Sequence, residues 1–294
     1  MSLRGIYCPI TTPFRQQAIA LAELKTNVAS LSATGLAGFV IFGSTGEAIL
    51  LESREKVELL TAIREDLGEG LEIIAGTGQE STGATVELCK LAAEHGAQYG
   101  LVITPHYYGA QMHPAALAGH FKRVADKSPI PIIIYSVPKF TAIDLPSAVV
   151  QELSSHENIA GIKDSTGDLA KLVEVTSCAG EDFAVMIGNA SLLFGGLLSG
   201  ARAAILALAN FVPKECVAVG AAISRQDYGE ALKSFHRLLP LGKKIVGNLG
   251  VPGIKAAMEM VGYWGGDPRE PLLPISAADR QEIHELLRIA DIIR

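Results

Sequence analysis

A lysine closes an otherwise apolar run at Ile159-Ala160-Gly161-Ile162-Lys163. Lysine is almost never buried unless it is paired. At the dry end of a buried strand an amine is pushed toward its neutral form, and a neutral amine can attack a carbonyl carbon. The alternatives are a side chain that snorkels to solvent, or one paired with Asp164 or Asp168. Tyr135 closes a second aliphatic run, Ile132-Ile133-Ile134. A phenol there can move a proton, or simply donate to a backbone carbonyl. Two more phenols, Tyr107 and Tyr108, follow Thr104-Pro105-His106, where they can relay protons or pack under a loop. Gly43-Ser44-Thr45-Gly46-Glu47 offers hydroxyls and backbone N–H groups in a tight turn. Such a turn can hold a carboxylate, or Ser and Thr can serve as ordinary caps. Ile187-Gly188-Asn189-Ala190-Ser191 is a weaker phosphate cue, with an Asn-capped turn as the commoner explanation.

Other chemistries find little support. The seven histidines form no HExxH or other tight ligand cluster, and neither a Walker loop nor a GxSxG elbow occurs. Cys8, Cys89, Cys178 and Cys216 are too dispersed for metal-ligand spacing, and they read as reduced core thiols. No cofactor and no metal are expected. Of the 294 residues, 49% are hydrophobic and 19% charged, so a large core can be buried. The formal net charge is -6 and the densest basic pair is Lys243-Lys244. Nucleic acid is therefore an unexpected partner. The start Met1-Ser2-Leu3-Arg4-Gly5 has no signal-peptide pattern, and the apolar stretch 187–208 is interrupted by four glycines, Asn189 and Arg202. A cytoplasmic protein without membrane partners is the expectation.

These residues must be positioned by the elements that end beside them. Strands are expected at 6–10, 38–42, 71–75, 100–104, 131–135, 159–163, 184–188 and 203–206. Most are continuous apolar runs, as in parallel strands buried on both faces. Helical patterns separate them, at 21–33, 53–67 (with Ser53 as cap), 81–95, 114–125, 146–153 and 168–178. Eight βα units predict a (β/α)8 TIM barrel, whose active site lies at the C-terminal strand ends. A doubly wound sheet would place glycines after the first strand, where Pro9-Ile10-Thr11-Thr12-Pro13-Phe14 has none. After the eighth strand, residues 214–224, 228–248, 252–261 and 277–294 all read as helices. The expected organisation is a barrel over 1–224 carrying the site, with a C-terminal helical extension over 225–294.

Taken together, the strand ends resemble those of the dihydrodipicolinate synthase / N-acetylneuraminate lyase family. The likeness rests on Gly43-Ser44-Thr45-Gly46-Glu47, Thr104-Pro105 with Tyr107, Tyr135 with Pro138, and Gly161-Ile162-Lys163-Asp164, in order over nearly the whole chain. Within that family the chain is most similar to the 4-hydroxy-2-oxoglutarate aldolase branch. The stretches that carry this are Thr11-Thr12-Pro13-Phe14, Glu80-Ser81-Thr82, Ser136-Val137-Pro138, Asp144-Leu145-Pro146 and Gly250-Val251-Pro252-Gly253.

The resemblance implies a role for each position. Lys163 forms an imine with pyruvate. Tyr135 moves protons over that imine, and Ser44 relays them to Tyr107, which reaches in from a neighbouring subunit of a homotetramer. Thr45 holds the pyruvate carboxylate, while Ser165 and Gly188 line the second-substrate side. The expected activity is cleavage of 4-hydroxy-2-oxoglutarate, or a similar 2-oxo acid, to pyruvate and an aldehyde. A synthase that condenses pyruvate with aspartate semialdehyde is the alternative, and an inactive barrel that binds a small acid is a remoter one. In the synthases an arginine two residues after the strand-five proline holds a substrate carboxylate. Here that position is Phe140, which cannot replace a bidentate clamp.

Overall fold

The computed structural model describes residues 3–294; Met1 and Ser2, which open the stretch scanned for a leader, lie outside the described residues. Eight parallel strands close into a barrel: β1 Gly5–Pro9, β2 Gly38–Ile41, β3 Glu72–Gly76, β4 Tyr99–Ile103, β5 Ile132–Ser136, β6 Ile159–Asp164, β7 Ala184–Ile187 and β8 Ala203–Ile205. Each strand neighbours the next in sequence, the arrangement that short βα crossovers produce. All five residues of β5 are buried, because a barrel strand faces packed side chains inside and helices outside. Aliphatic β-branched side chains suit both faces, and Ile132, Ile133 and Ile134 supply them.

The chain divides into two compact units. One comprises the N-terminal segment through Gly5 together with Glu72–Ile205, and holds β3 to β8 with their crossover helices: α3 Thr82–Glu94, α4 Pro114–Lys127, α5 Ser147–Leu153, α6 Leu169–Cys178 and α7 Leu193–Leu198. Ser81 caps α3 by accepting the Ala84 N–H at 3.1 Å, and Asp168 caps α6 by accepting those of Ala170 and Lys171. Between β5 and β6 the register slips. Ile132 pairs with Ile159, but Ile133 pairs with Gly161, leaving Ala160 as the extra residue. This bulge advances β6 by one residue and sets Lys163 opposite Tyr135. Gly161 is required there, since a Cβ on it would lie 2.2 Å from the Ala184 carbonyl oxygen.

The other unit holds Ile6–Leu71 and Leu206–Arg294. It contains helices α1 Leu21–Ser32 and α2 Ser53–Asp66, then the C-terminal helices α8 Pro213–Ser224, α9 Tyr228–Leu241, α10 Gly250–Met260 and α11 Ala277–Ile289. The stretch expected as one helix over 228–248 changes register: α9 ends at Leu241, and Gly242–Leu249 continues as a π-helix. The change follows Pro240, which cannot donate to the carbonyl one turn back. Ser53 is not the cap of α2. Glu52 is, in a capping box with Glu55, whose carboxylate accepts the Glu52 N–H at 2.8 Å. A two-stranded ribbon, Phe14–Arg15 with Ala18–Ile19, was not foreseen; its turn residues Gln16 and Gln17 both adopt positive φ.

Three of the four free cysteines are buried, and Cys178 is half-buried. Among the described residues no helix is long and apolar enough to cross a membrane.

Candidate active site

Lys163 is buried, with 5% of its surface exposed, so it does not snorkel. It does not pair either: among the described residues no carboxylate forms an ion pair with its amine. Asp164 is committed elsewhere, its Oδ1 accepting from the Thr166 N–H at 2.9 Å and hydroxyl at 2.5 Å. Asp168 caps α6. What Lys163 faces is Tyr135, its partner across β5 and β6, with Nζ 4.1 Å from the ring centroid. The strand register thus delivers an unpaired amine onto the face of a buried phenol.

Space beside the amine depends on Gly188. A Cβ there would lie 1.9 Å from Ser165 Oγ, 2.9 Å from the Asp164 carbonyl oxygen and 3.1 Å from Lys163 Cε. The Gly188 N–H donates to that carbonyl at 2.6 Å, which fixes the backbone. Ser165, Gly188 and Lys163 are therefore neighbours, and Ser165 Oγ is buried with no hydrogen-bond partner. Asn189 plays the commoner of its two expected parts: its Oδ1 accepts from the Ser191 N–H and hydroxyl at 3.0 and 2.8 Å.

Three further buried oxygens are unpartnered at neighbouring strand ends: Thr104 Oγ1, Ser136 Oγ and Asp164 Oδ2. Ser136 pairs with Asp164 in register, and alternation along a strand turns both to the face opposite Tyr135 and Lys163.

Tyr107 stands apart from this cluster. It lies on the loop after β4, with 78% of its surface exposed and its ring edge-on to Tyr108 at 5.1 Å. Beside the end of β5, Pro138–Thr141 forms a one-turn helix not expected from the residues there; it leaves Phe140 exposed, with Lys139 Nζ 5.8 Å from its ring centroid.

In the second unit, Ser44-Thr45-Gly46 is a single 3-10 turn directly after β2. Neither Ser44 nor Thr45 serves as a side-chain cap there. The N–H groups that open such a turn have no partner within it and are free to meet an anion. The turn is braced from behind. Thr12 Oγ1 donates to the Gly46 carbonyl at 2.8 Å. Glu47 adopts φ 58°, and its buried carboxylate pairs with the buried Lys255 ammonium at 2.6 Å while accepting the Arg269 N–H at 2.8 Å. Lys255 also donates to the Asp267 carbonyl at 2.7 Å and lies 4.6 Å from the Phe14 ring centroid. Burial pushes its amine downward in pKa, against the opposing pull of Glu47. Arg269 grips both oxygens of Glu55 at 2.6 Å. Sequence reasoning missed this brace because its members are some 210 residues apart; a lysine within the apolar α10 was the one available signal.

Comparison with known proteins identifies the family of the chain. The model of the Dihydrodipicolinate synthetase family matches residues 2–290. The chain is 35% identical to the L-threo-3-deoxy-hexylosonate aldolase of Hypocrea jecorina, covering 97% of this chain and 95% of that one. It is 32% identical to a probable mitochondrial 4-hydroxy-2-oxoglutarate aldolase of Emericella nidulans, covering 96% and 93%. The crystal structure of dihydrodipicolinate synthase from Thermotoga maritima superposes with a TM-score of 0.94 at 26% identity, over 100% of both chains. The chain belongs to the Dihydrodipicolinate synthetase family.

Proposed function

We propose that the protein is a class I (Schiff-base) lyase that cleaves 4-hydroxy-2-oxoglutarate, or a similar 2-oxo acid, to pyruvate and an aldehyde. The observation that carries this is Lys163: a buried amine with no carboxylate partner, stacked on Tyr135, with Gly188 leaving room beside Cε. The Lys163 amine adds to the C2 carbonyl of the substrate and water departs, giving a protonated imine. The C4 hydroxyl then loses its proton and the C3–C4 bond breaks. The aldehyde leaves and the bonding electrons pass into the imine as an enamine. Protonation at C3 and hydrolysis release pyruvate and restore the amine.

Each proton transfer needs a hydroxyl within reach. Tyr135, beside the amine, is assigned to the imine and C–C steps. Ser44 and Tyr107 are assigned to the relay that connects Tyr135 to solvent, Thr45 and its N–H to the pyruvate carboxylate, and Ser165 and Gly188 to the distal end of the substrate. Tyr107 is largely exposed on its own chain, so it is assigned to reach into the relay of a neighbouring copy, and the relay is complete only with that copy. A homotetramer supplies it. The catalytic barrel spans 1–224, the helices of 225–294 support it, and the enzyme works in the cytoplasm without a cofactor.

Phe140 favours cleavage over the synthase reading, because no guanidinium stands where the synthases clamp a carboxylate. Two relatives are named as aldolases, while others at 32–34% identity are named 4-hydroxy-tetrahydrodipicolinate synthase, so the preference for cleavage rests on Phe140. The test is a panel in which pyruvate release from 4-hydroxy-2-oxoglutarate and from 3-deoxy-2-oxo sugar acids is compared with condensation of pyruvate and aspartate semialdehyde. Preferred condensation would replace this reading with the synthase. No turnover of any member, together with saturable binding of a small acid, would replace it with a binding protein.

A further inference from the structure

We infer that Glu80 is a positioning residue for Tyr107. The assignment rests on the relay proposed above, and Glu80 acts on the loop after β4, which carries Tyr107. That loop is exposed, and Tyr107 and Tyr108 both lie largely outside the core. Pro105 has no N–H, so the amides of His106 and Tyr107 are the first donors beyond it. Both donate to one oxygen of Glu80, at 3.0 and 2.9 Å. The other oxygen meets His106 Nδ1 at 2.9 Å. A carboxylate seated on two successive amides fixes their peptide planes.

Glu80 is itself well anchored. Gln79, before it, exchanges hydrogen bonds with Thr85, its N–H donating to Oγ1 at 3.0 Å. Ser81, after it, caps α3. Gly78 brings this segment onto the end of β4 so closely that a Cβ there would lie 2.5 Å from the Ile103 nitrogen. A rigid element therefore holds out a charged acceptor, and what it grips is the backbone of an exposed tyrosine. Ordering that backbone consumes conformational entropy and buries no apolar surface in return. The arrangement serves the direction of the Tyr107 side chain, and through it the proton relay.

The test is a double-mutant cycle with the full-length enzyme, using Glu80→Ala, Tyr107→Phe and the pair, read as pyruvate release from 4-hydroxy-2-oxoglutarate. Misplacing a relay group by about an ångström lowers kcat by roughly 10- to 100-fold. Glu80→Ala is expected to show that loss with little change in the KM for 4-hydroxy-2-oxoglutarate or in melting temperature. Glu80→Gln is expected to recover most of it, since an amide oxygen still accepts from both N–H groups. In the Tyr107→Phe background, Glu80→Ala is expected to lower kcat no further. Should Glu80→Ala fold poorly, Glu80→Asp, whose carboxylate falls short of the loop, reports the same loss.

An unchanged kcat in Glu80→Ala overturns the assignment, as does a loss that multiplies with that of Tyr107→Phe. Trapping the imine with borohydride separates the two levels of inference. A trapped adduct on Lys163 with a silent Glu80 refutes the positioning role alone. Absence of the adduct in the unmodified enzyme refutes the lyase reading and this one with it.

Discussion

Replacing Gly188 by alanine adds one carbon where the structure has no room for it. That carbon would meet Ser165 Oγ at 1.9 Å, the Asp164 carbonyl oxygen at 2.9 Å and Lys163 Cε at 3.1 Å. The first contact can be relieved by turning the serine side chain. The second cannot, because the Asp164 carbonyl is main chain and is tied to the Gly188 N–H at 2.6 Å. The third displaces the amine stem. Overpacking of this kind costs about 1–3 kcal/mol. Loaded onto the alignment of Lys163, that is about a 5- to 150-fold slower imine formation; loaded onto the fold, it lowers the melting temperature by a few degrees. The assay is the rate at which pyruvate and borohydride label the protein, measured with a parallel thermal melt. Gly188→Ala with Ser165→Ala removes the shortest contact and is expected to restore part of the rate. Labelling at the unmodified rate, with the melting temperature lowered, would show that the space beside Lys163 is not needed for chemistry. No change in either would refute the packing argument.

Three further outcomes follow from named contacts. Phe140→Arg is expected to raise kcat/KM for aspartate semialdehyde relative to 4-hydroxy-2-oxoglutarate; an unchanged ratio means that Phe140 does not set specificity. Glu47→Gln strands the buried Lys255 charge and is expected to cost about 3–5 kcal/mol in urea unfolding, much of it recovered in Glu47→Gln with Lys255→Met. A loss under about 1 kcal/mol would contradict a buried pair whose partners depend on each other for charge. His120 is buried, and that burial, with Arg123 nearby, lowers its pKa from 6.5 to about 4. The unfolded chain therefore takes up a proton at higher pH than the folded one does, so stability is lost as pH falls from 6.5 to about 4, by about 3 kcal/mol in total. His120→Asn, which can still meet the Thr82 hydroxyl, should flatten that part of the pH–stability curve, and an unaltered curve would place its source elsewhere.

The barrel was legible because its strands are apolar on both faces. Runs such as Ile132–Tyr135 announce themselves by composition, and the order of βα units does the rest. Lys163 was legible as the wrong residue type at the end of such a run, although residue chemistry alone left open whether it was paired, exposed or free. The structure decides among these through one bulged residue, Ala160, and such a register slip has no sequence signature here. Gly188 stood out only through resemblance; its reason is a steric fact about Ser165, Asp164 and Lys163. The brace of Glu47, Lys255 and Arg269 and the grip of Glu80 on the Tyr107 loop were invisible, because pairing between distant segments is set by the fold and leaves no local periodicity. The π-helical stretch after Leu241 escaped for another reason. Its apolar spacing is close enough to an α-helix that Pro240 was the only warning.

The central claim is that Lys163 is a covalent nucleophile toward pyruvate, and reductive trapping tests it most directly. The full-length protein is incubated with pyruvate and borohydride, its intact mass measured, and the modified peptide sequenced. One reduced pyruvate per chain, on the peptide that contains Lys163 and absent from Lys163→Met, is the expected result. An unmodified protein, or an adduct on another lysine, would contradict it.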